Sequence, residues 1–476
     1  MQDYSKKMTY TQKKDLLLEQ IRNGTKMLGR DQMLLVVLLS VPAMLAQLTH
    51  IIMQYIDASM VGSLGKEASA SIGLVSTTIW LFGSLSSAAN VGFYVQVAHR
   101  IGAGEFAEAR NVLRQSFLSS LLFAFTLMAI GVSISPYLPH WLGGNEDINA
   151  DSTLYFMCYS LCLPFAQLNS LCSGMLRCSG NMHIPSILNI GMCFLDVIFN
   201  WFLIFPSHQI FGITIPGAGL GVMGAVIGTG LAFAVTSLLM CYFTTIASKE
   251  LNLLQDKGSF IPKFTTLRKA IKISLPIAVQ HIIFCGAQIT STLIVAPLGT
   301  VAIAANSFGI IVEALCYMPG YGIADAATTL VGQSLGAKRR KLARSFGNIT
   351  VGMGVAVMTV LGVVMYLTAP SLMTLMTPDI AVQHLTAQVL RIEAFAEPMF
   401  AASIVAYGVF VGAGDTLIPC SMNLGSIWVV RITLAIFLSA TMGLQGVWIA
   451  MATELCFRGI IFLIRLRGDS WMKKIP

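Results

Sequence analysis

The chain of 476 residues is 55% apolar and only 11% charged, where soluble domains carry about 25% charged residues. Together with a mean hydropathy of +0.74, this excludes a soluble globular protein. The net charge of +8 is no sign of nucleic acid, because the cations lie in short loops between apolar runs, where they set membrane topology.

In chain order, residues 1–30 are polar and basic and are expected to form a cytoplasmic segment. The apolar run that follows is too long for the core of a signal peptide, so no cleavable leader is expected. Runs of about 20 apolar residues then recur, each able to cross ~30 Å of hydrocarbon. They predict twelve transmembrane helices, at 33–60, 70–98, 117–138, 153–175, 184–205, 217–246, 270–295, 302–331, 347–369, 382–410, 418–440 and 444–465. The basic residues sort by side. Lys6, Lys7, Lys13, Lys14, Arg100, Arg110, Arg114, the stretch from Lys249 to Lys272, "KRRKLAR" from Lys338, and Arg465, Arg467, Lys473 and Lys474 fall on one side; Lys66 stands almost alone on the other. By the positive-inside rule both termini are cytoplasmic, which requires an even number of spans. The ten Cys, among them Cys158, Cys162, Cys193, Cys241 and Cys456, are scattered through apolar runs and read as buried thiols rather than metal ligands.

The chain repeats itself at an offset of 234 residues. Pro42 matches Pro276, Leu64 matches Leu298, Gly102 matches Gly336, Ala109 matches Ala343 and Pro164 matches Pro398. "SGNMHIPSILNIG" from Ser179 matches "AGDTLIPCSMNLG" from Ala413. The insertion "FPSHQIFGITIPG" then shifts the offset to 225, so that Gly221 meets Gly446. An even number of spans per half makes the repeat parallel, which predicts an all-α integral membrane protein of two pseudo-symmetric six-helix bundles. The expected division is a cytoplasmic segment at 1–30, an N-lobe at 31–247, a cytoplasmic linker at 248–268, a C-lobe at 269–465 and a tail at 466–476. Gly102 and Gly336 are expected to make the turns before the two "AR" loops. Repeated bundles place a substrate cavity between their halves; a duplication of purely structural meaning is the alternative.

Several segments resemble the multidrug and toxic compound extrusion (MATE) transporters. They are "VPAMLAQLTHIIMQYIDASMVGSLG" in the first span, with a Pro followed fifteen residues later by an acid, then "MPGYGIADAATTLVGQSLGA", "GAGDTLIP", "WVVRITLAIFL" and "GLQGVWIAMATELCFRGIIFLIRLR". The resemblance implies two lobes that open to one side at a time and a secondary antiporter that exports amphipathic organic compounds, drugs or a natural product, in exchange for Na⁺ or H⁺. It also implies a bacterial inner membrane, no cofactor beyond the coupling ion, small organic molecules and lipid as partners, and a monomer.

Ionisable groups inside a bilayer are costly and so are functional candidates. By the direction of each span and a rise of ~1.5 Å per residue, Asp57 near the outer end of the first, Asp196 on the fifth and Thr229 on the sixth all fall in the outer half of the N-lobe. Two carboxylates and a hydroxyl that meet in the outer half of the N-lobe suit a hard cation and equally a shared proton. The resemblance carries a cation role onto Asp57, Asp196 and Thr229, with Asp57 and Asp196 as ligands of a monovalent cation. In the repeat, Ser291 stands opposite Asp57, Val430 opposite Asp196 and Glu454 opposite Thr229. Arg431 and Arg458 lie beside Glu454 in this register, so the C-lobe position reads as a structural ion pair. Glu393 and Glu397, one turn apart, and Glu313 are candidates for a second acidic site or for a structural network, and Asp325 for substrate selectivity. Pro42 removes a backbone hydrogen bond and lets the first helix kink, so that loading at Asp57 bends it.

NorM-like members carry acids in the seventh span and mid-way along the tenth. Here "HIIFCGAQIT" has none and Phe400 stands at the latter position, which points to the DinF-like branch. Met192 stands where an Asn often precedes the acid of the fifth span. The competing class is a lipid-linked oligosaccharide flippase of the same superfamily, which needs a cationic cavity; buried acids outnumber buried bases here. No HExxH-type spacing supports an enzyme, and no filter-like segment supports a channel.

Overall fold

The computed structural model describes residues 9–210 and 213–472. Helix α1 (Tyr10–Arg22) starts at a capping box, in which Thr9 N donates to Gln12 Oε1 at 3.0 Å and Gln12 N to the Thr9 hydroxyl. It buries Leu17, Leu18 and Ile21 along one face. There follow α2 (Gly29–Gly62), α3 (Lys66–Gly102), α4 (Phe106–Ile134), the one-turn α5 (Leu138–Trp141), α6 (Glu146–Cys178) and α7 (His183–Ile204). Strands β1 (Pro206–Ile210) and β2 (Ile213–Ala218) come next, then α8 (Val222–Tyr242), which ends in a π-helical turn at Phe243–Ala247. Beyond lie α9 (Phe264–Val295), α10 (Thr300–Gly336), α11 (Arg340–Met376), α12 (Ile380–Ala394), α13 (Glu397–Gly412), α14 (Leu417–Gly425), α15 (Thr433–Met442) and α16 (Leu444–Arg467).

Every expected span is helical, as a bilayer demands of backbone that cannot bond water. Among the described residues ten spans are long and apolar enough to cross, and α12 with α13 makes an eleventh if the bent pair is one span. The twelfth is α6, whose interior is laced with Ser, Asn and Gln and whose first turn carries Glu146 and Asp147. Three local expectations are corrected. The insertion after the fifth span folds as an antiparallel hairpin, with Pro206 opposite Ala218 and Ile210 opposite Ile213, so the sixth helix starts at Val222 rather than 217. The tenth span is broken at Phe395–Ala396, with a 58° bend between its halves. The eleventh passes through a π-helical stretch at Ser426–Ile432.

The chain forms two compact units. The N-unit holds Thr49–Val97 and Glu105–Ala278; the C-unit holds residues up to Leu48, Ala98–Gly104 and those from Val279 on. The division runs through α2 and α9, so each contributes one part to each unit.

In the N-unit, apolar packing surrounds Phe82 and Phe156, whose rings meet edge to face at 5.4 Å. Between α3, α4 and α6 lies an uncharged polar network. Asn90 Nδ2 donates to the Gln167 carbonyl, Gln167 Nε2 and the Ser120 hydroxyl donate to Asn90 Oδ1 at 2.8 and 2.7 Å, and the Ser86 hydroxyl donates to Gln167 Oε1. The repeat partners of Ser86, Asn90, Ser120 and Gln167 are Gly320, Ala324, Gly354 and Ala401. The C-unit meets the same need by close approach: a Cβ at Gly320 would lie 2.7 Å from Met358 Sδ, and one at Gly354 2.6 Å from Val405 Cγ2. The segment expected to be a linker is held to α4 in the N-unit. Arg110 pairs with Asp256 and donates to the Glu250 carbonyl at 3.2 Å, while Arg114 donates to the Leu253 carbonyl at 2.8 Å.

The turns before the "AR" loops are made by Gly104 (φ +77°) and its repeat partner Lys338 (φ +59°), not by Gly102 and Gly336. Those two glycines instead let backbones touch inside the C-unit. A Cβ at Gly102 would stand 2.7 Å from Gln333 Cα, and one at Gly336 2.8 Å from His99 Cα. Gly102→Ala and Gly336→Ala are each expected to lower the thermal midpoint of the purified protein, at a cost of about 1–3 kcal/mol. Gly352→Ala, where an added methyl meets nothing within 4 Å, should hold or raise it. Equal midpoints for all three variants would contradict the close approach.

Candidate functional site

The acids of the first and fifth spans come together in the N-unit. α2 supplies Asp57, α7 supplies Asp196 and α8 supplies Thr229. The hairpin returns the chain so that α8 packs antiparallel on α7, and glycines on α8 make the contact tight: a Cβ at Gly224 would lie 2.7 Å from Ile204 N, and one at Gly228 3.0 Å from Asn200 N. Asp196 is 1% exposed and Asp57 half-buried. The Asp196 side chain faces the Asp57 carboxyl group and the Thr229 hydroxyl.

The link between the carboxylates is a residue that sequence reasoning missed. Asn200 Nδ2 donates to Asp57 Oδ1 at 3.1 Å and to Asp196 Oδ1 at 3.3 Å. Asn200 is itself 1% exposed. The readable signal is its place in "DVIFN", four residues after Asp196 and so on the same helical face. It supplies from one turn after the acid the amide that Met192 does not supply from one turn before. Tyr155 of α6 lies within electrostatic reach of both carboxylates and His50 of α2 within reach of Asp57. Among the described residues no Lys or Arg pairs with either acid. Two oxygens are left over in this buried cluster, Asp196 Oδ2 and Asn200 Oδ1, with no hydrogen-bond partner. A hard cation takes such oxygens as ligands. Among the described residues no group of three or more His, Cys, Asp or Glu is spaced to hold a metal ion, so a cation here would draw on amide and hydroxyl oxygens as well as the carboxylates.

In the C-unit the charges are arranged differently. Glu454 is fully buried and accepts from Arg458 Nε at 2.7 Å and Nη2 at 2.6 Å. Arg431 Nε stands 3.6 Å from Glu454 Oε2, the oxygen that Arg458 Nη2 also holds, and the Ser426 hydroxyl donates to Oε1. The π-helical stretch accounts for this geometry. Its i→i+5 bonding widens the turn, so that Ser426 and Arg431, five residues apart, both reach Glu454. Glu393 and Glu397 do not share one helical face, because the break in the span falls between them. Both are fully buried, and all four of their carboxyl oxygens lack a hydrogen-bond partner. Both lie within electrostatic reach of Glu313. Arg391 points away, its guanidinium 5.3 Å over the Tyr366 ring. Asp325 is half-buried on α10. Pro42 sits inside α2, which continues through it as one helix. The carbonyl of Leu38, deprived by Pro42 of its helical donor, accepts from the Tyr10 hydroxyl of α1.

Two related sets of apolar helices, each with carboxylates packed inside, define a membrane transporter. The MatE family model matches residues 42–202 and 276–437, one stretch in each half, and the chain belongs to the MATE family of transporters. Similar relatives include the probable multidrug resistance protein NorM of Thermotoga maritima, 26% identical over 446 residues that cover 92% of each chain. The multidrug resistance protein MdtK of Yersinia enterocolitica is 24% identical over 92% of this chain and 95% of its own. Among solved structures, a MOP superfamily transporter from Pyrococcus furiosus shares the fold with a TM-score of 0.85 at 20% identity, over 96% of this chain and 99% of that one. An outward-facing multidrug resistance MATE family transporter does so with a TM-score of 0.85 at 21% identity over the same shares.

Glu454→Gln would leave the partly buried Arg431 and Arg458 without the carboxylate they face. Removing one member of a buried ion group costs about 3–5 kcal/mol, so the variant should lose much of its folded yield and thermal stability. A stable, well-expressed Glu454→Gln protein would show that the arginines do not depend on that carboxylate.

Proposed function

We propose that this transporter is a secondary active antiporter that exports amphipathic organic compounds and takes in Na⁺ or H⁺ in exchange, with Asp57, Asp196 and Thr229 as the coupling site. The observation that carries the reading is the pair of acidic side chains in the N-unit, joined by one amide and, among the described residues, answered by no arginine or lysine. Two carboxylates in hydrocarbon are not stable as bare anions. They call for protons or a cation, and the population of those species depends on the gradients across the membrane. The relatives are named multidrug resistance proteins, which supports a small organic substrate.

The absence of acids from α9 and the presence of Phe400 on α13 favour coupling centred on the first span, as in the DinF-like branch. The surplus of buried carboxyl groups over arginines in the C-unit argues against a flippase for pyrophosphate-linked lipids. In this reading Glu393, Glu397 and Glu313 are a second acidic site, and Asp325 bears on substrate choice. The protein works in the bacterial inner membrane, with both termini in the cytoplasm.

The mechanical element is α2. Pro42 leaves the helix one hydrogen bond short, and Asp57 lies fifteen residues further on the same helix. Loading at Asp57 changes the charge that this helix carries against α7 and α8. The helix then bends at Pro42, and substrate is displaced outward.

Asp57→Asn should express and fold normally but cut gradient-driven uptake of substrate into inverted vesicles at least about tenfold, since even an outer-shell partner of a metal site is worth about 10–100-fold in affinity. Imposing a Na⁺ gradient and a pH gradient in separate experiments identifies the coupling ion. Export at the normal rate by Asp57→Asn would remove the coupling role.

A further inference from the structure

Asn200 is satisfied on one edge and idle on the other. Its N–H edge bridges Asp57 and Asp196; its Oδ1 has no partner although the residue is 1% exposed. That oxygen rests against α8 at Gly228, where any side chain would collide with the amide: an added Cβ would sit 3.1 Å from Asn200 Cγ. Asp196 Oδ2, one turn away, is likewise buried without a donor. A buried amide carbonyl is a costly group to leave unbonded, and such an oxygen in a transport site calls for an explanation.

The arrangement has a simple electrostatic meaning. An amide N–H edge carries partial positive charge, and here it lies where a cation between the two carboxylates would lie. With such a cation in place the N–H edge would be repelled and the carbonyl edge drawn in. A half-turn of the amide about its last torsion exchanges the two edges without moving the helix, since that torsion is broad and roughly two-fold. Gly228 leaves the room in which the turn occurs.

We infer that Asn200 is a two-state switch of the coupling site: its donor edge holds the Asp57–Asp196 pair when no ion is bound, and its carbonyl edge becomes a ligand when Na⁺ enters. The loaded set is then all oxygen, from Asp57, Asp196, Asn200 and Thr229, as a hard cation requires. A proton would need no such turn, because a protonated carboxyl group supplies its own donor to its neighbour. The inference rests on the antiport reading above and narrows it to Na⁺.

The test is calorimetric titration of the purified full-length protein with NaCl, against choline chloride as the control for ionic strength. Asn200→Leu removes both edges and should weaken Na⁺ binding at least about tenfold. Asn200→Asp keeps acceptor oxygens, loses the donor edge and adds a negative charge; it should bind Na⁺ as tightly as the wild type or more tightly. A merely structural role for Asn200 would weaken both variants alike. Gly228→Ala, which fills the space behind the carbonyl, should weaken binding with Asn200 left in place. Wild-type affinity in Asn200→Leu would overturn the switch, as would equal losses in Asn200→Leu and Asn200→Asp. Failure of the wild type to bind Na⁺, with export still driven by a pH gradient and still lost in Asp57→Asn, would overturn this inference and leave the antiport reading standing.

Discussion

A carboxylate buried among apolar helices must be given a counter-charge, a donor, a proton or a cation, because hydrocarbon supplies none of them. Much of this molecule can be understood as the ways in which two copies of one ancestral bundle answer that demand. At equivalent places in the repeat, the N-unit has Asp196 on its fifth span and Thr229 on its sixth, while the C-unit has Val430 and Glu454. The C-unit answers with charge: Arg458 grips Glu454 through two short bonds and Arg431 approaches from the facing helix. The N-unit answers with dipole: one amide donates to two acids. An ion group with full counter-charge resists exchange, since losing either partner strands the other. An amide bridge competes weakly with an incoming cation, so it suits a site that must load and unload.

The same repeat also packs its backbone in two ways. Where the N-unit holds α3, α4 and α6 together with the amide and hydroxyl groups of Ser86, Asn90, Ser120 and Gln167, the C-unit has two glycines and two alanines and brings its helices into direct contact. Interhelical hydrogen bonds and small-residue contacts are the two principal means of association in a bilayer, where burial of apolar surface provides no drive. The halves therefore kept their topology while exchanging one means for the other. The π-helical stretch at Ser426–Ile432 belongs to the same divergence. In the repeat it corresponds to the turn of α7 that carries Asp196, and it turns Arg431 towards Glu454.

Much of this was legible in the chain. The apolar runs delimit the spans, because only a helix can cross hydrocarbon, and the spacing of Pro42, Pro276, Gly102 and Gly336 reveals the duplication. Asp57, Asp196 and Thr229 could be placed in the outer half of the N-lobe by rise per residue alone. What escaped depends on geometry that residue spacing does not carry. Asn200 is one of many amides in the chain, and only the crossing of α7 with α2 makes it a bridge. The break at Phe395–Ala396 separates Glu393 from Glu397, although Pro398 stood in plain view; in a bilayer many prolines are absorbed without a break, as Pro42 is. The hairpin was hidden because its strands are only five and six residues long and lie inside a segment that reads as loop. The asymmetry between the halves is only partial. The C-lobe does not cancel all its own charge, for Glu393 and Glu397 are as deeply buried as Glu454 and have no donors.

The two prolines of the repeat bear on the proposal that the coupling acid lies on the first span. Pro42 and Pro276 occupy equivalent positions on α2 and α9, and each of these helices passes from one compact unit to the other shortly after its proline, at Leu48–Thr49 and at Ala278–Val279. A proline leaves the carbonyl four residues earlier without its donor and weakens the helix at that point. In α2 that carbonyl, at Leu38, is taken up by the hydroxyl of Tyr10, so the weak point is braced by a separate helix rather than by its own ladder. Both helices thus have a pliable joint near the same boundary. Only α2 carries an acid beyond its joint, since α9 has Ser291 where α2 has Asp57. In the proposed mechanism a change of charge at Asp57 acts on a helix that runs unbroken across this boundary. The matching helix, α9, has the joint without the charge.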